Sequence, residues 1–282
     1  MKRRIPKREK LFAVVPTLFT LGNAVCGFGA ITFATKVFPE GTEDNGLWTA
    51  AWLILFAMVF DMLDGHAARL TKQTSEFGAQ LDSLCDVISF GVAPAFLMLK
   101  LAQFPQVYHP RMLWVVAVLF VVCTVLRLAR FNVETGEGDS HESFTGLPSP
   151  AAAGAVASFA IAMPGLTDPT MSETSQAVGG WLIFVITRGL PVFTLLLACL
   201  MVTRIRYPHV LSQLFRGRRN FQHLLQLIFA IVAIFAVHEL AIPLILCYFV
   251  LASPIRALWI KVVHGRFRTS LRPSPEHHPP TR

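Results

Sequence analysis

Eight long apolar stretches divide this 282-residue chain and leave little room for a water-soluble fold. A helix that crosses a bilayer needs about 20 consecutive, mostly apolar residues, and each stretch approaches or exceeds that length. Only 15% of the residues are charged, whereas about 25% is usual in soluble domains. We therefore predict an all-α, polytopic integral membrane bundle of about eight transmembrane helices, over residues 13–35, 47–68, 82–102, 112–131, 148–165, 181–203, 222–238 and 240–260.

The composition excludes several functional classes, and the positions of the Lys and Arg residues predict how the chain is oriented in the membrane. Apolar residues make up 54% of the sequence, which rules out a water-soluble enzyme, a disordered protein and a nucleic-acid-binding domain. The pI near 9.6 reflects Lys and Arg side chains that face anionic lipid headgroups. With the N-terminus inside, most of the 25 Lys and Arg residues fall on the cytoplasmic side. Both termini are therefore predicted to be cytoplasmic.

We expect one membrane domain over residues 1–260. Its core covers about residues 11–203, and two extra helices cover about 222–260, separated by only His238 and Glu239 as in a tight helical hairpin. Residues 261–282 are basic and rich in proline, and we predict that they form a disordered cytoplasmic tail.

Four aspartates lie where the second and third apolar stretches meet. Asp61 and Asp64 are separated by three positions, and Asp82 and Asp86 by four, so each pair shares one face of a helix. An aspartate at mid-bilayer costs about 2.5–3.5 kcal/mol, which favours a functional role. Four clustered carboxylates would repel one another, and hard divalent cations such as Mg²⁺ or Mn²⁺ relieve that repulsion.

Small residues accompany the aspartates on the same helical faces. Gly65 and Ala68 follow the first pair and Gly78 precedes the second, which leaves clearance for a bulky ligand near the backbone. An alternative is that the aspartates are solvated residues at helix ends, paired with Arg69 and Lys72.

The complete pattern resembles the signature of the CDP-alcohol phosphotransferase family, with all eight of its defining positions present: Asp61, Asp64, Gly65, Ala68, Arg69, Gly78, Asp82 and Asp86. The resemblance covers roughly the first six apolar stretches. It implies a membrane enzyme in which an alcohol attacks the diphosphate of a CDP-linked lipid and CMP is released.

The family resemblance also implies roles for individual residues. Asp61, Asp64 and Asp82 would hold one divalent ion, Mg²⁺ or Mn²⁺, and Asp86 would help to hold a second. Asp86 would also be the catalytic base that takes the proton of the alcohol. CDP-lipid binding is implied for six positions: Asp61, Asp64, Gly65, Ala68, Arg69 and Gly78.

Three further segments resemble the phosphatidylserine synthase branch of the family: Pro16–Gly27, Arg127–Asn132 and Phe144–Gly154. The reaction implied is that of CDP-diacylglycerol with L-serine, giving phosphatidylserine and CMP. Arg130 or Arg127 could bind the serine carboxylate as a bidentate fork, and Asn132 could orient the carboxylate or the ammonium. The alternative for both arginines is ordinary anchoring at the cytoplasmic surface.

Two other functions remain open from the sequence. The same chemistry could use glycerol 3-phosphate as the acceptor, as in a phosphatidylglycerophosphate synthase, although a phosphorylated acceptor would require additional cations near the site. A membrane cation transporter would also explain carboxylates in a membrane, but not the interleaved Gly, Ala and Arg.

The family resemblance further implies a homodimer in the bacterial cytoplasmic membrane, with the active site on the cytoplasmic side.

Overall fold

The computed structural model describes residues 7–36, 46–71, 76–103, 107–136, 144–167, 172–203, 206–207 and 238–269. These residues form helices and one pair of two-residue strands. The elements in chain order are α1 (Lys7–Thr35), α2 (Gly46–Thr71), α3 (Glu76–Asp86), a π-helix (Val87–Val92), α4 (Ala93–Ala102), α5 (Pro110–Gly136), β1 (Phe144–Thr145), α6 (Ser149–Leu166), α7 (Glu173–Val202), β2 (Arg206–Tyr207) and α8 (His238–Thr269).

Six segments within the described residues are long and apolar enough to cross a membrane. The helical membrane bundle expected from the sequence is therefore confirmed. Helices suit this environment because their backbone N–H and C=O groups are satisfied within the segment. The six segments are Pro16–Thr35, Gly46–Ala67, Phe77–Ala102, Pro110–Val133, Ser149–Leu166 and Glu173–Val202.

Several helix boundaries differ from those expected from hydropathy. The predicted third stretch began at residue 82, but α3 already begins at Glu76. The sixth was predicted from residue 181, but α7 begins at Glu173, where the Ser172 side chain accepts a hydrogen bond from the Ser175 backbone N–H. Hydropathy located the apolar portion of these helices and missed their polar first turns.

The two C-terminal stretches are described only in part. Residues 222–237, the first of these stretches apart from its last residue, lie outside the described residues. His238 and Glu239, the predicted turn of the hairpin, are the first two residues of a helix. Helix α8 begins at His238 and contains the apolar segment Leu240–Arg256. It continues through Thr269, nine residues into the expected tail, and residues 270–282 are outside the described part of the chain.

Helix α6 is the centre of the bundle and packs against α2, α4, α7 and α8. Its sequence begins Ser-Pro-Ala-Ala-Ala-Gly-Ala-Val-Ala-Ser, and all residues from Ala151 to Ser158 are buried. Small side chains let the backbones of neighbouring membrane helices approach closely, so that van der Waals contact holds them together. The alanine-rich sequence therefore explains why this helix can be surrounded on all sides.

The six residues Val87–Val92 wind as a π-helix between α3 and α4, within one continuous membrane segment. Ser89, Phe90 and Gly91 in this turn are buried. A π-helix is rare and usually appears as a single wide turn inside an α-helix, often at functional sites. Here it follows Asp86 directly and packs against α1 and α5.

A loop contact fixes the start of α6. Strand β1 pairs antiparallel with β2, and the Leu147 backbone N–H donates to the Leu200 carbonyl at 3.2 Å. Gly146 has φ +90°, and a Cβ there would lie 2.5 Å from the Met201 carbonyl oxygen. Only glycine fits this position, because other residues rarely adopt positive φ and would also collide with α7.

Candidate active site

Three carboxylates converge where α2 ends and α3 begins. Asp61 and Asp64 project from α2 and Asp82 from α3, and each offers an oxygen within 4.8 Å of the other two. Asp64 is buried, while Asp61 and Asp82 are half-buried. The helical spacing of Asp61 and Asp64 accounts for their common direction. The structure thus assembles three of the four aspartates of the sequence motif into one group.

The donor chemistry of this group fits a divalent cation. One oxygen of Asp82, Oδ1, is buried and has no hydrogen-bond partner among the described residues. Buried polar atoms are rarely left without a partner, so such an atom calls for an explanation. Carboxylate oxygens are the ligands that Mg²⁺ and Mn²⁺ prefer, and an ion would satisfy this oxygen while relieving repulsion among the three carboxylates.

Asp86 lies one helical turn beyond Asp82 but is not part of the group of three. It is 7% exposed, and its Oδ1 accepts a hydrogen bond of 2.9 Å from the Asn23 Nδ2–H. It also interacts electrostatically with Asp61 and Asp82. The fourth aspartate therefore borders the same site and has a separate hydrogen-bond partner on another helix.

Helix α1 contributes two polar side chains that sequence analysis did not place in the site. The Thr20 Oγ1–H donates to Asp64 Oδ2 at 2.9 Å, and Asn23 binds Asp86 as described. Thr20 and Asn23 are three positions apart, so both face the same direction. The sequence feature that could have revealed these two residues is a pair of polar side chains at helical spacing within an otherwise apolar stretch.

A half-buried arginine, Arg127, borders the carboxylates. The Arg127 Nη1–H donates to Ser149 Oγ at 2.7 Å, and its guanidinium interacts electrostatically with Asp61 and Asp86. Its Nε atom is buried without a hydrogen-bond partner in the described part of the chain. The side chain therefore points into the bundle, which differs from the surface-anchoring alternative.

The remaining predicted positions are more widely distributed. The Asn132 Nδ2–H donates to Ser83 Oγ at 2.9 Å, linking α5 to α3. Arg130 and Gly78 are half-buried. A Cβ at Gly65 would meet no atom within 4 Å, so α2 has open space beside the aspartates. The side chains of Ala68 and Arg69 lie outside the described residues.

Comparison with known proteins identifies the family. The sequence model of the CDP-alcohol phosphatidyltransferase family matches residues 13–188, which contain all four aspartates and Arg127. The chain belongs to this family. Membership accounts for the aspartate motif and replaces the transporter alternative, which gave no reason for the interleaved Gly, Ala and Arg.

Named relatives within the CDP-alcohol phosphatidyltransferase family point to one branch. A CDP-diacylglycerol--serine O-phosphatidyltransferase of Helicobacter pylori strain J99 is 35% identical over 195 residues, covering 69% of this chain and 71% of the relative. The enzyme of the same name from strain 26695 is 41% identical, covering 49% of this chain and 53% of the relative. The archaetidylserine synthase of Methanothermobacter thermautotrophicus is 41% identical, covering 54% of this chain and 60% of the relative. The matched region thus spans between about half and seven tenths of these relatives.

A solved structure from the family shows a more distant likeness. The phosphatidylinositol phosphate synthase of Mycobacterium tuberculosis with CDP-DAG bound matches with a TM-score of 0.38 and 21% identity. The match covers 67% of this chain and 92% of that one.

Proposed function

We propose that this chain is a phosphatidylserine synthase, which transfers the phosphatidyl group of CDP-diacylglycerol to the hydroxyl of L-serine and releases CMP. The observation that carries the proposal is the group of three carboxylates within 4.8 Å of one another, inside the region that matches the family. Serine as the acceptor is supported by the names of the relatives and by the serine-type segments in α1, in α5 and before α6.

In the proposed reaction the serine hydroxyl oxygen forms a bond to the phosphorus of the lipid phosphate. The bond from that phosphorus to the CMP oxygen breaks, CMP leaves with the electron pair, and the hydroxyl proton passes to Asp86. Phosphoryl transfer depends chiefly on positioning and charge neutralisation. A carboxylate in contact with the hydroxyl suits the role of base, because the proton moves as the new bond forms.

The aspartates would hold two divalent ions. Asp61, Asp64 and Asp82 are the proposed ligands of one, and Asp86 contributes to the second. Bound Mg²⁺ or Mn²⁺ would neutralise the diphosphate and stabilise charge on the attacking and leaving oxygens. The unpartnered Oδ1 of Asp82 supports this assignment, because a ligand atom is expected to lack a protein hydrogen bond.

The CDP-lipid is proposed to lie along the end of α2 and the start of α3. The space beside Gly65 supports this placement, since a Cβ there would meet no atom of the described residues within 4 Å. The full set of proposed CDP-lipid contacts is that of the family motif: Asp61, Asp64, Gly65, Ala68, Arg69 and Gly78.

The acceptor site is proposed to involve Arg127, Arg130 and Asn132. A serine carboxylate needs a cationic partner, and guanidinium–carboxylate hydrogen bonds are among the strongest in proteins. Arg127 is favoured by its position beside Asp86 and by its unpartnered Nε, which can donate to an entering carboxylate. Asn132 and Arg130 lie farther along the same helix, and Asn132 contacts α3 through Ser83.

The proposed arrangement in the membrane follows the distribution of charge. Eight transmembrane helices would place both termini in the cytoplasm, with the carboxylates near the cytoplasmic face of a bacterial inner membrane. Serine and CMP then exchange with the cytosol, while the lipid enters between helices. A homodimer is proposed from the family resemblance.

Acceptor identity can be tested with purified protein, CDP-diacylglycerol and a mass measurement of the lipid product. We expect CMP release only when serine and Mg²⁺ or Mn²⁺ are both present, with phosphatidylserine as the product. A chelator should stop the reaction, and excess metal should restore it. Release of CMP with glycerol 3-phosphate and none with serine would reassign the acceptor. No release with either acceptor would refute the proposal.

A further inference from the structure

Asn23 is completely buried in α1. Its side-chain amide nitrogen has a hydrogen-bond partner among the described residues and its amide oxygen has none there. Its Nδ2–H donates to Asp86 Oδ1 at 2.9 Å. Its Oδ1 is buried and has no partner among the described residues. A buried polar atom without a partner destabilises a protein. An apolar side chain at this position would avoid that penalty but would leave Asp86 Oδ1 without its partner, so the asparagine is explained by its contact with Asp86.

The backbone of Asn23 is also held by a hydrogen bond. The Ser89 Oγ–H, in the π-helix, donates to the Asn23 carbonyl oxygen at 2.9 Å. Ser89 is completely buried and lies three residues after Asp86. The same short stretch of chain therefore makes two contacts with Asn23, one through the Asp86 carboxylate and one through the Ser89 hydroxyl.

Gly27 makes this close approach possible. It lies one turn after Asn23 in α1, and a Cβ at Gly27 would lie 2.7 Å from the Ser89 Cα. That separation is shorter than real Cβ contacts allow, and the obstructing atom belongs to the backbone, which cannot rotate away. Asn23, Gly27 and Ser89 together form what we call the α1 clasp, which sets the distance between α1 and the π-helix.

We propose that Asn23 is a positioning residue that holds the Asp86 carboxylate in its reactive orientation, and that the α1 clasp fixes Asn23 for this purpose. The inference rests on the proposed function, in which Asp86 takes the proton of the acceptor hydroxyl. One oxygen of Asp86 accepts a hydrogen bond from the amide, which restricts rotation of the carboxylate about its Cβ–Cγ bond. Hydrogen-bonded partners of this kind commonly change activity or metal affinity by about 10- to 100-fold when they are removed.

The test replaces Asn23 by leucine, which has a similar size and no hydrogen-bonding group. We expect Asn23→Leu to lower kcat for phosphatidylserine formation by about 10- to 100-fold. The KM values for serine and CDP-diacylglycerol should stay within about threefold, because Asn23 touches neither substrate in this proposal. Binding of CDP-diacylglycerol without serine should be retained. The melting temperature in detergent should fall only modestly, because the leucine leaves Asp86 Oδ1 without its hydrogen bond from Asn23. A merely structural role would lower the melting temperature and leave kcat of the folded fraction unchanged.

Two further variants keep the test decisive. Asn23→Ala removes the same amide without overfilling the site, so it serves if the leucine does not pack, and we expect the same loss of kcat. Thr194→Val is the matched control, because Thr194 is also completely buried but its hydroxyl, among the described residues, bonds only to the Leu190 carbonyl in its own helix. We expect the control to retain wild-type kcat.

The possible failures are distinguishable. Wild-type kcat in both folded Asn23 variants would overturn the positioning role and leave the proposed function intact. A wild-type protein that forms no phosphatidylserine would instead overturn the proposed function itself. A loss of kcat accompanied by an equal rise in either KM would also refute the inference, because it would place Asn23 in substrate binding.

Discussion

The Thr20 hydroxyl lies 2.9 Å from the Asp64 carboxylate although the two residues are 44 positions apart in the chain. The same hydroxyl is 3.1 Å from the Pro16 carbonyl, and its single hydrogen can serve one acceptor at a time. A carboxylate is the stronger acceptor of the two. Helix α1 therefore orients a proposed metal ligand from outside the aspartate motif.

Replacing Thr20 by valine removes this hydrogen bond while nearly preserving the shape of the side chain. We expect the Mg²⁺ or Mn²⁺ concentration for half-maximal activity to rise about 10-fold, because partners of metal ligands contribute to metal affinity. A titration of CMP release against metal measures the effect, with Thr194→Val as the control. An unchanged half-activation concentration would remove Thr20 from the metal site.

Asp86→Asn should abolish turnover. The amide keeps the size of the carboxylate but cannot accept the proton of the serine hydroxyl, so kcat should fall by at least about 100-fold, the lower bound of general-base contributions. Folding and CDP-diacylglycerol binding should be largely preserved, and both can be measured on the same preparation. Near-normal turnover would exclude Asp86 as the base.

Arg127→Ala and Arg130→Ala should each raise the serine KM far more than the KM for CDP-diacylglycerol if both arginines bind the carboxylate. A hydrogen bond to a charged group contributes about 1.5–3 kcal/mol, which corresponds to a change of about 10-fold or more. Arg188→Ala is the control, because that guanidinium lies over the Phe184 ring. A serine KM that rises in only one variant would identify the arginine that binds serine, and no rise in either would exclude both arginines from serine binding.

Gly146→Ala should destabilise the protein. An alanine would have to adopt φ +90° and would place its Cβ 2.5 Å from the Met201 carbonyl oxygen. Backbone strain of this kind typically amounts to about 1–3 kcal/mol. Thermal unfolding in detergent measures the loss. Gly180→Ala in α7 is the control, since a Cβ there meets nothing within 4 Å, and its melting temperature should stay the same or rise. Equal melting temperatures for the two variants would contradict the prediction.

The aspartate group could be predicted from the sequence because it depends on the spacing of residues that are close together in the chain. Asp61 and Asp64 share a face by helical spacing alone, and a short connection brings Asp82 opposite them. The sequence did not predict the partners of these residues, since Asn23 and Asp86 are 63 positions apart and no local pattern pairs them. The same holds for Ser149, whose hydrogen bond with Arg127 joins residues 22 positions apart on different helices.

The fold was predictable to a similar extent. Long apolar runs located the membrane helices, because a bilayer leaves few alternatives to a helix. They did not reveal the polar first turns of α3 and α7, which extend the helices beyond the apolar segments. Nor did Val87–Val92 carry a recognisable signature of π-helical winding, since its residues are common in membrane α-helices.

That wide turn lets a single membrane segment carry one more residue without turning its two halves apart. Each residue of an α-helix rotates the chain by about 100°, and a π-turn accommodates one residue more than an α-turn in about the same rotation. Deleting one residue from Val87–Val92 would let ordinary winding resume while α3 and α4 kept nearly the same relative orientation. Leu97 and Met98, now completely buried, would stay inside the bundle, and the change would fall on the Ser89 contact with α1. Among homologous sequences, a one-residue gap in these six positions would therefore signal loss of that contact and not a rearranged bundle.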